Sequence, residues 1–213
     1  MIKGMIISHK YRFIFLKTTK TAGTSIEISL SRYCGESDII TPISQRDEKI
    51  RQTLGKSPQN YQLGTKNFYN HISAKEIKAL IGDEIWGSYY KFCFDRNPWD
   101  KVISLYYFAV KNHKKESFNQ FLERGKYKGA FNFPVYTIND IPVVDYIGKY
   151  ESLQSDLKAV CDKVAIPFDG WLPKAKGNFR KNRQPYTTQY NESQKEMIQH
   201  YFKKEIDLLN YKY

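Results

Sequence analysis

The chain lacks what would anchor it in a membrane, cross-link it or bind zinc. No uninterrupted apolar run reaches the roughly eighteen residues of a membrane-spanning helix, so no transmembrane segment is expected. Cysteine is scarce, and Cys34, Cys93 and Cys161 form an odd, widely spaced set. Such a set argues against a disulfide framework and suits reduced thiols in a cytoplasmic protein. No Cys/His spacing matches zinc ligation, and no metal is expected. The first residues mix Lys3, His9 and Lys10 with a short apolar patch, without the h-region and cleavage site of a signal peptide. Repeats and linkers are also missing, so a single domain over residues 1–213 is expected, with ample core.

Acidic residues are in deficit, with 22 Asp and Glu against 34 Lys and Arg, a net charge of +12. A basic surplus of this size points to nucleic acid, an anionic membrane or an acidic polymer as possible partners. The densest run is Lys174, Lys176, Arg180, Lys181 and Arg183, with no acid between them. A run of that kind is also what a solvated loop looks like.

The most informative stretch is Lys20-Thr21-Ala22-Gly23-Thr24-Ser25, directly after the apolar run Phe13-Ile14-Phe15-Leu16. It reads as a strand over residues 12–16, a hydroxyl-rich turn, and a helix over residues 26–31. Unpaired N–H groups at a helix start carry positive partial charge and hold phosphate or sulfate oxygens. Lys20 adds a cation, Thr21, Thr24 and Ser25 add hydroxyls, and Gly23 lets the backbone approach an anion. The order differs from G-x-x-x-x-G-K-[ST], since the lysine comes first and one glycine is present. An ordinary N-cap by Thr24 or Ser25 explains the same residues equally well.

A second segment separates the two readings. Tyr89-Tyr90-Lys91-Phe92-Cys93-Phe94 is expected to be a buried strand. It leads into Asp95-Arg96-Asn97-Pro98-Trp99-Asp100-Lys101-Val102-Ile103-Ser104-Leu105-Tyr106-Tyr107. Asn97 is a good N-cap and Pro98 a good first helical residue. Arg96 can grip a phosphate with two parallel N–H bonds. Ser104, two turns into the helix, shares a face with its start.

Together these segments resemble the sulfotransferases that use 3′-phosphoadenosine-5′-phosphosulfate (PAPS), most of all the carbohydrate-type branch. That branch carries a K-T-A-G/S-T-S loop and an R-x-P-x-x-R/K-x-x-S-x-Y helix start, here Lys20 to Ser25 and Arg96, Pro98, Lys101, Ser104 and Tyr106. The resemblance implies that Lys20, Thr21, Ala22, Gly23, Thr24 and Ser25 bind the 5′-phosphosulfate. It assigns Arg96 and Ser104 to the 3′-phosphate. It also implies a late basic loop closing over the donor, for which Arg180 and Lys181 are the candidates. A histidine in the interval before the second segment serves as general base in such enzymes, which selects His71. Neutral imidazole suits proton removal near pH 7. A histidine in an ordinary loop near a helix start looks the same in sequence. Some relatives use a glutamate, so Glu27, Glu76 and Glu151 are the alternatives. Lys20, with the turn's N–H groups, would neutralise the leaving phosphate. The implied acceptor is a hydroxyl, with a saccharide favoured by the basic surplus and the seventeen tyrosines. Nucleic acid is not an implied partner.

Two rivals follow from the same residues. A P-loop-like kinase or NTPase would need a magnesium-binding acid after a strand, and Asp95 is the candidate. A non-catalytic polyanion binder would need only the charge.

The remaining pattern fits an α/β, three-layer, P-loop-like fold with a central parallel sheet flanked by helices. Residues 34–70 read as loop with a short helix, and Ser73-Ala74-Lys75-Glu76 as a capping box opening a helix that Gly82 stops. Further helices are expected over residues 98–111, 117–124, 151–163 and 192–209. A strand is expected over residues 143–149, after an irregular stretch at 125–142.

Overall fold

Strand alternation builds the centre of the molecule. In a computed structural model that describes residues 5–64, 66–69, 71–111, 116–175 and 184–213, the two apolar runs are adjacent parallel strands. The chain begins with β1 (Ile6–Ser8), β2 (Phe13–Leu16), α1 (Gly23–Ser31), β3 (Ile39–Ile40) and α2 (Gln45–Gln52). A small hairpin, β4 (Gln62–Leu63) and β5 (Lys66–Asn67), precedes α3 (Ala74–Ser88), β6 (Tyr90–Asp95) and α4 (Pro98–Ala109). Then come α5 (Phe118–Glu123), α6 (Phe133–Tyr136), the hairpin β7 (Thr137–Ile138) and β8 (Ile141–Pro142), and β9 (Tyr146–Lys149). The chain continues with α7 (Leu153–Lys163), α8 (Glu192–Tyr201) and α9 (Lys203–Leu209).

The main sheet has five strands in the order β3-β1-β2-β6-β9. Strand β6 runs parallel to both β2 and β9, whereas β1 is antiparallel to β2 and β3. The sheet is therefore mixed, which corrects the expectation of a parallel one. The extra strand comes from residues 6–8, which pair with β2 through a tight turn at His9–Arg12 where Arg12 takes a φ of 53°. His9 thus lies between two strands. A strand of three residues next to a polar turn carries too little periodicity to be recognised in sequence.

Successive side chains of a strand face opposite ways, and both faces here are covered. Phe13, Phe15, Phe92 and Phe94 pack with Ile26 and Leu30 of α1 and Leu157 and Val160 of α7. Ile14, Leu16 and Cys93 pack with Ile77 and Trp86 of α3 and with Phe133 and Tyr136. Each fully buried ring or branched chain contributes about 1.5–3 kcal/mol. The two cores hold the carboxyl ends of β2 and β6 side by side.

Several boundaries differ from expectation for local reasons. Helix α1 starts at Gly23, three residues earlier than expected, with Ala22 as N-cap in the left-handed region. Residues 34–70 contain the expected short helix, α2, but also β3 and the β4–β5 hairpin. The Ser73 capping box is present, and Gly82 (φ 83°) breaks α3 into two helical pieces rather than ending it. The C-terminal helix divides at Phe202, and the strand before α7 is confined to Tyr146–Lys149.

Candidate functional site

The sheet reverses its winding between β2 and β6. From β2 the chain crosses to β3 on one side, and from β6 it crosses to β9 on the other. In open α/β sheets the crevice at such a reversal, beyond the strand carboxyl ends, is where ligands bind. The two singled-out segments leave the sheet at that point.

The first segment is a turn held open at the helix start. Lys20 and Ala22 both take left-handed φ values, 65° and 60°, and turns of that kind aim consecutive N–H groups into a concavity. Ala22 offers α1 no side-chain cap. Among the described residues, no hydrogen bond engages the N–H groups of Thr21, Ala22, Gly23 or Thr24. The arrangement suits a phosphate or sulfate group. Thr21 Oγ1 and Thr18 Oγ1 lie 2.8 Å apart, and Thr18 donates onward to the Phe94 carbonyl, joining the turn to β6. Ser25 Oγ accepts a 3.4 Å bond from the Ala175 N–H.

Gly23 makes room for a neighbouring side chain. A Cβ there would lie 2.6 Å from Lys17 Cγ, because the Lys17 chain passes over the glycine to reach Glu27, 2.8 Å away. Arg51, fully buried, approaches the other Glu27 oxygen at 3.2 Å.

The second segment brings Arg96 to the same turn. Its Nη1 donates to the Lys20 carbonyl at 3.3 Å, and its guanidinium stacks on Tyr150 at 3.9 Å. Nε and Nη2 donate to Asp100 at 2.9 and 2.6 Å. Of the five donors a guanidinium carries, one on each Nη remains for a ligand. Asp100, Ser104 and Phe108 recur every four residues along α4 and so form one ridge. The Lys20 ammonium sits 4.6 Å from the Phe108 ring centre. The turn therefore lies along the ridge whose middle member is the half-buried Ser104. Asn97 Oδ1 caps α4 by accepting from the N–H groups of Trp99 and Asp100, as the sequence suggests. Glu151 in turn accepts from the Asn97 N–H at 2.7 Å.

His71 reaches the start of the turn from the loop before α3. Its Nδ1 lies 2.8 Å from the Lys17 carbonyl. A carbonyl only accepts, so Nδ1 carries the proton and the neutral ring keeps its lone pair on Nε2. The three glutamates weighed against it have other partners. Glu27 is buried between Lys17 and Arg51, Glu76 closes the α3 capping box, and Glu151 binds the Asn97 N–H.

Sequence reasoning did not identify Asn132, which is fully buried beneath the turn. Its Oδ1 accepts from the Thr19 N–H at 2.7 Å, and its Nδ2 donates to the Thr19 carbonyl at 3.1 Å. Below it, Lys101 Nζ donates to Asp95 at 2.7 Å and to Glu205 at 2.6 Å, with all three groups fully buried. Burial opposes the Lys101 charge, but the two carboxylates outweigh it and raise its pKa. Burial, then the Asp95 charge, push Glu205 up to about 7 against the pull of Lys101. No spacing rule links residue 132 or 205 to residue 19, so no sequence signal was available. Arg180 and Lys181 lie outside the described residues. Of two shallow surface depressions, of about 400 and 530 Å³, the first lies around Leu153 and Phe168 and takes in Glu151, and the second lies around Tyr201 and Lys204. Among the described residues, no cluster of His, Cys, Asp and Glu could hold a metal ion, and no helix is long and apolar enough to cross a membrane.

Comparison with known proteins agrees with the two segments. The family model described as "Sulfotransferase family" matches residues 3–212. An Archaeoglobus fulgidus protein described as uncharacterized is 38% identical over 96 residues, 43% of this chain and 80% of its own length. No solved structure matches the chain. With nearly its whole length matched by the family model, the chain belongs to the sulfotransferase family.

Proposed function

We propose that this sulfotransferase moves a sulfuryl group from PAPS to a hydroxyl of a carbohydrate. One observation carries the reading. His71 and Arg96, far apart in sequence, both bond the backbone of the short stretch from Lys17 to Lys20. A proton acceptor and an anion-binding guanidinium thus flank a turn with open N–H donors.

PAPS supplies the sulfuryl group, and its two charged ends match the two groups of donors. The turn from Lys20 to Ser25 holds the 5′ end, and Arg96 with Ser104 holds the 3′-phosphate. His71 Nε2 takes the acceptor proton as the new S–O bond forms. Lys20 and the turn's N–H groups stabilise the charge left on the departing phosphate. Preorganised donors of that kind are worth about a hundred- to a thousandfold in rate each. The P-loop-like description of the fold belongs to the same reading, with β2, the turn and α1 as the phosphate-binding unit. The buried thiols of Cys34, Cys93 and Cys161 suit a reducing compartment such as the cytoplasm.

The kinase alternative loses its magnesium ligand. Asp95 Oδ1 accepts from the Arg96 N–H, Lys101 and Asn132, and Oδ2 from the Tyr136 hydroxyl. Thermal stabilisation by nucleotides tests the reading. In the absence of magnesium, 3′,5′-ADP should raise the melting temperature more than ADP does. A ligand at a hundred times its Kd adds about 2.7 kcal/mol. Equal shifts, or a magnesium requirement, would favour the NTPase instead. Binding without a 3′-phosphate preference and with a steep salt dependence would favour a polyanion binder.

A further inference from the structure

The side-chain amide of Asn132 meets Thr19 as a neighbouring strand would. It accepts from the N–H and donates to the C=O of one residue, at 2.7 and 3.1 Å. The same Nδ2 donates to Asp95 Oδ1 at 3.0 Å, and the Asn132 main-chain N–H donates to Glu205 Oε1 at 2.5 Å. The amide therefore has all of its main polar groups engaged while fully buried. Lys101 closes the arrangement by bridging Asp95 and Glu205. Glu205 Oε1 also accepts from the Phe133 N–H at 2.9 Å, which fixes the backbone on both sides of the amide.

Thr19 is the last residue before the left-handed Lys20. A backbone in that region costs an L-residue about 1–2 kcal/mol, so the turn needs external support to persist. Downstream, α1 supplies no side-chain cap at Ala22. Upstream, the Asn132 amide holds both polar groups of the residue where the turn begins.

We infer that Asn132 is a positioning residue for the phosphosulfate turn. Its amide fixes Thr19 so that the N–H groups of residues 21–24 converge, and the buried Asp95–Lys101–Glu205 cluster fixes the amide. The inference rests on the donor-site reading above, and it adds a residue that touches neither donor nor acceptor. The specific consequence is that loss of the amide disturbs the 5′ end of the site more than the 3′ end, since the Arg96 guanidinium is also anchored on Asp100 and Tyr150 and Ser104 lies on α4.

The test compares binding of 3′,5′-ADP and 5′-AMP by calorimetry in the wild type, Asn132→Ala and Tyr136→Phe. Tyr136 donates to Asp95 at 3.1 Å within the same cluster and has no bond to the turn. Asn132→Ala should weaken both nucleotides about tenfold or more and leave the ratio between them unchanged. Tyr136→Phe should bind both as the wild type does. Asn132→Ser, whose hydroxyl can still accept from Thr19, should fall between, and it replaces the alanine variant if that fails to fold. Wild-type affinities in both Asn132 variants would overturn the positioning role alone. So would an equal loss in Tyr136→Phe, because the effect would then track the cluster's integrity. A wild type that binds neither nucleotide would overturn the donor reading, and the positioning role with it.

Discussion

Two helices start from neighbouring parallel strands, and the chain finishes them in opposite ways. After β6, Asn97 caps α4 with its own side chain, Pro98 removes one N–H, and Glu151 takes the Asn97 N–H. After β2, Ala22 caps nothing, and the N–H groups of residues 21–24 have no bonded partner among the described residues. Helix ends are normally satisfied by side chains, water or ligand, so the open start is the one whose donors can turn to a ligand. The closed start means that an anion beside α4 would meet side chains, for which Arg96 and Ser104 are proposed, and not the helix backbone. On the proposed reading, one anion site is made of backbone and the other of side chains. They should respond differently to substitution.

The largest effect should fall on neither start but on the proton acceptor between them. His71→Ala should lower sulfate transfer by about a hundredfold or more, the usual scale for a positioned base. Its affinity for 3′,5′-ADP should stay near wild type. His71→Asn should be equally slow, and it should lose the fall in rate that the wild type shows as pH drops through the imidazole range. A His71→Ala protein with undiminished turnover would remove the histidine from the chemistry. Glu27, Glu76 and Glu151 all have other partners, so the base would then be a different side chain at the crevice.

The next pair of substitutions separates the two starts directly. Lys20→Ala should reduce turnover about a hundred- to a thousandfold with little loss of 3′,5′-ADP binding, because the turn keeps its N–H groups. Arg96→Ala should do the reverse. A hydrogen bond to a charged group is worth about 1.5–3 kcal/mol, so 3′,5′-ADP should weaken about 10- to 150-fold while 5′-AMP changes little. If both variants lose binding and rate together, the division between backbone and side-chain sites is wrong.

The parts legible in sequence were those set by local spacing. The strand–turn–helix units around Lys20 and Arg96, the Asn97 cap and the Ser73 box all follow from residues a few positions apart, whereas His71, 54 positions from the Lys17 carbonyl it meets, was singled out by the family resemblance. The parts that were not legible come from distance or from brevity. Asn132 and Glu205 support Thr19 through contacts that cross most of the chain, and β1 is too short to show a period. At Gly23, whose expected role is to let an anion approach, the missing Cβ makes room for Lys17. That second role depends on where Glu27 and Arg51 lie in the folded molecule.

The smallest effects test the comparison through stability rather than binding. Asn97→Ala removes a cap worth about 1 kcal/mol. It also removes the bonds from Nδ2 to the Tyr186 hydroxyl, 3.2 Å, and the Lys212 carbonyl, 2.8 Å. The loss should reach about 2 kcal/mol, or roughly 4–8 °C in Tm for a chain of this size. Ala22 has no cap to lose. Ala22→Gly relieves a left-handed residue, a gain of about 1–2 kcal/mol, and adds chain entropy to the unfolded state, a cost of about 0.5–1 kcal/mol. The two nearly cancel, so its Tm should move by no more than a few degrees, and 3′,5′-ADP should bind unchanged because the donors are main-chain groups. Ala22→Val keeps the N–H but forces a β-branched residue into the left-handed region, where such residues are genuine outliers. It should therefore destabilise the protein and weaken nucleotide binding together. Equal tolerance of glycine and valine at position 22 would show that the turn does not depend on its left-handed residue, and the open start would lose its conformational basis.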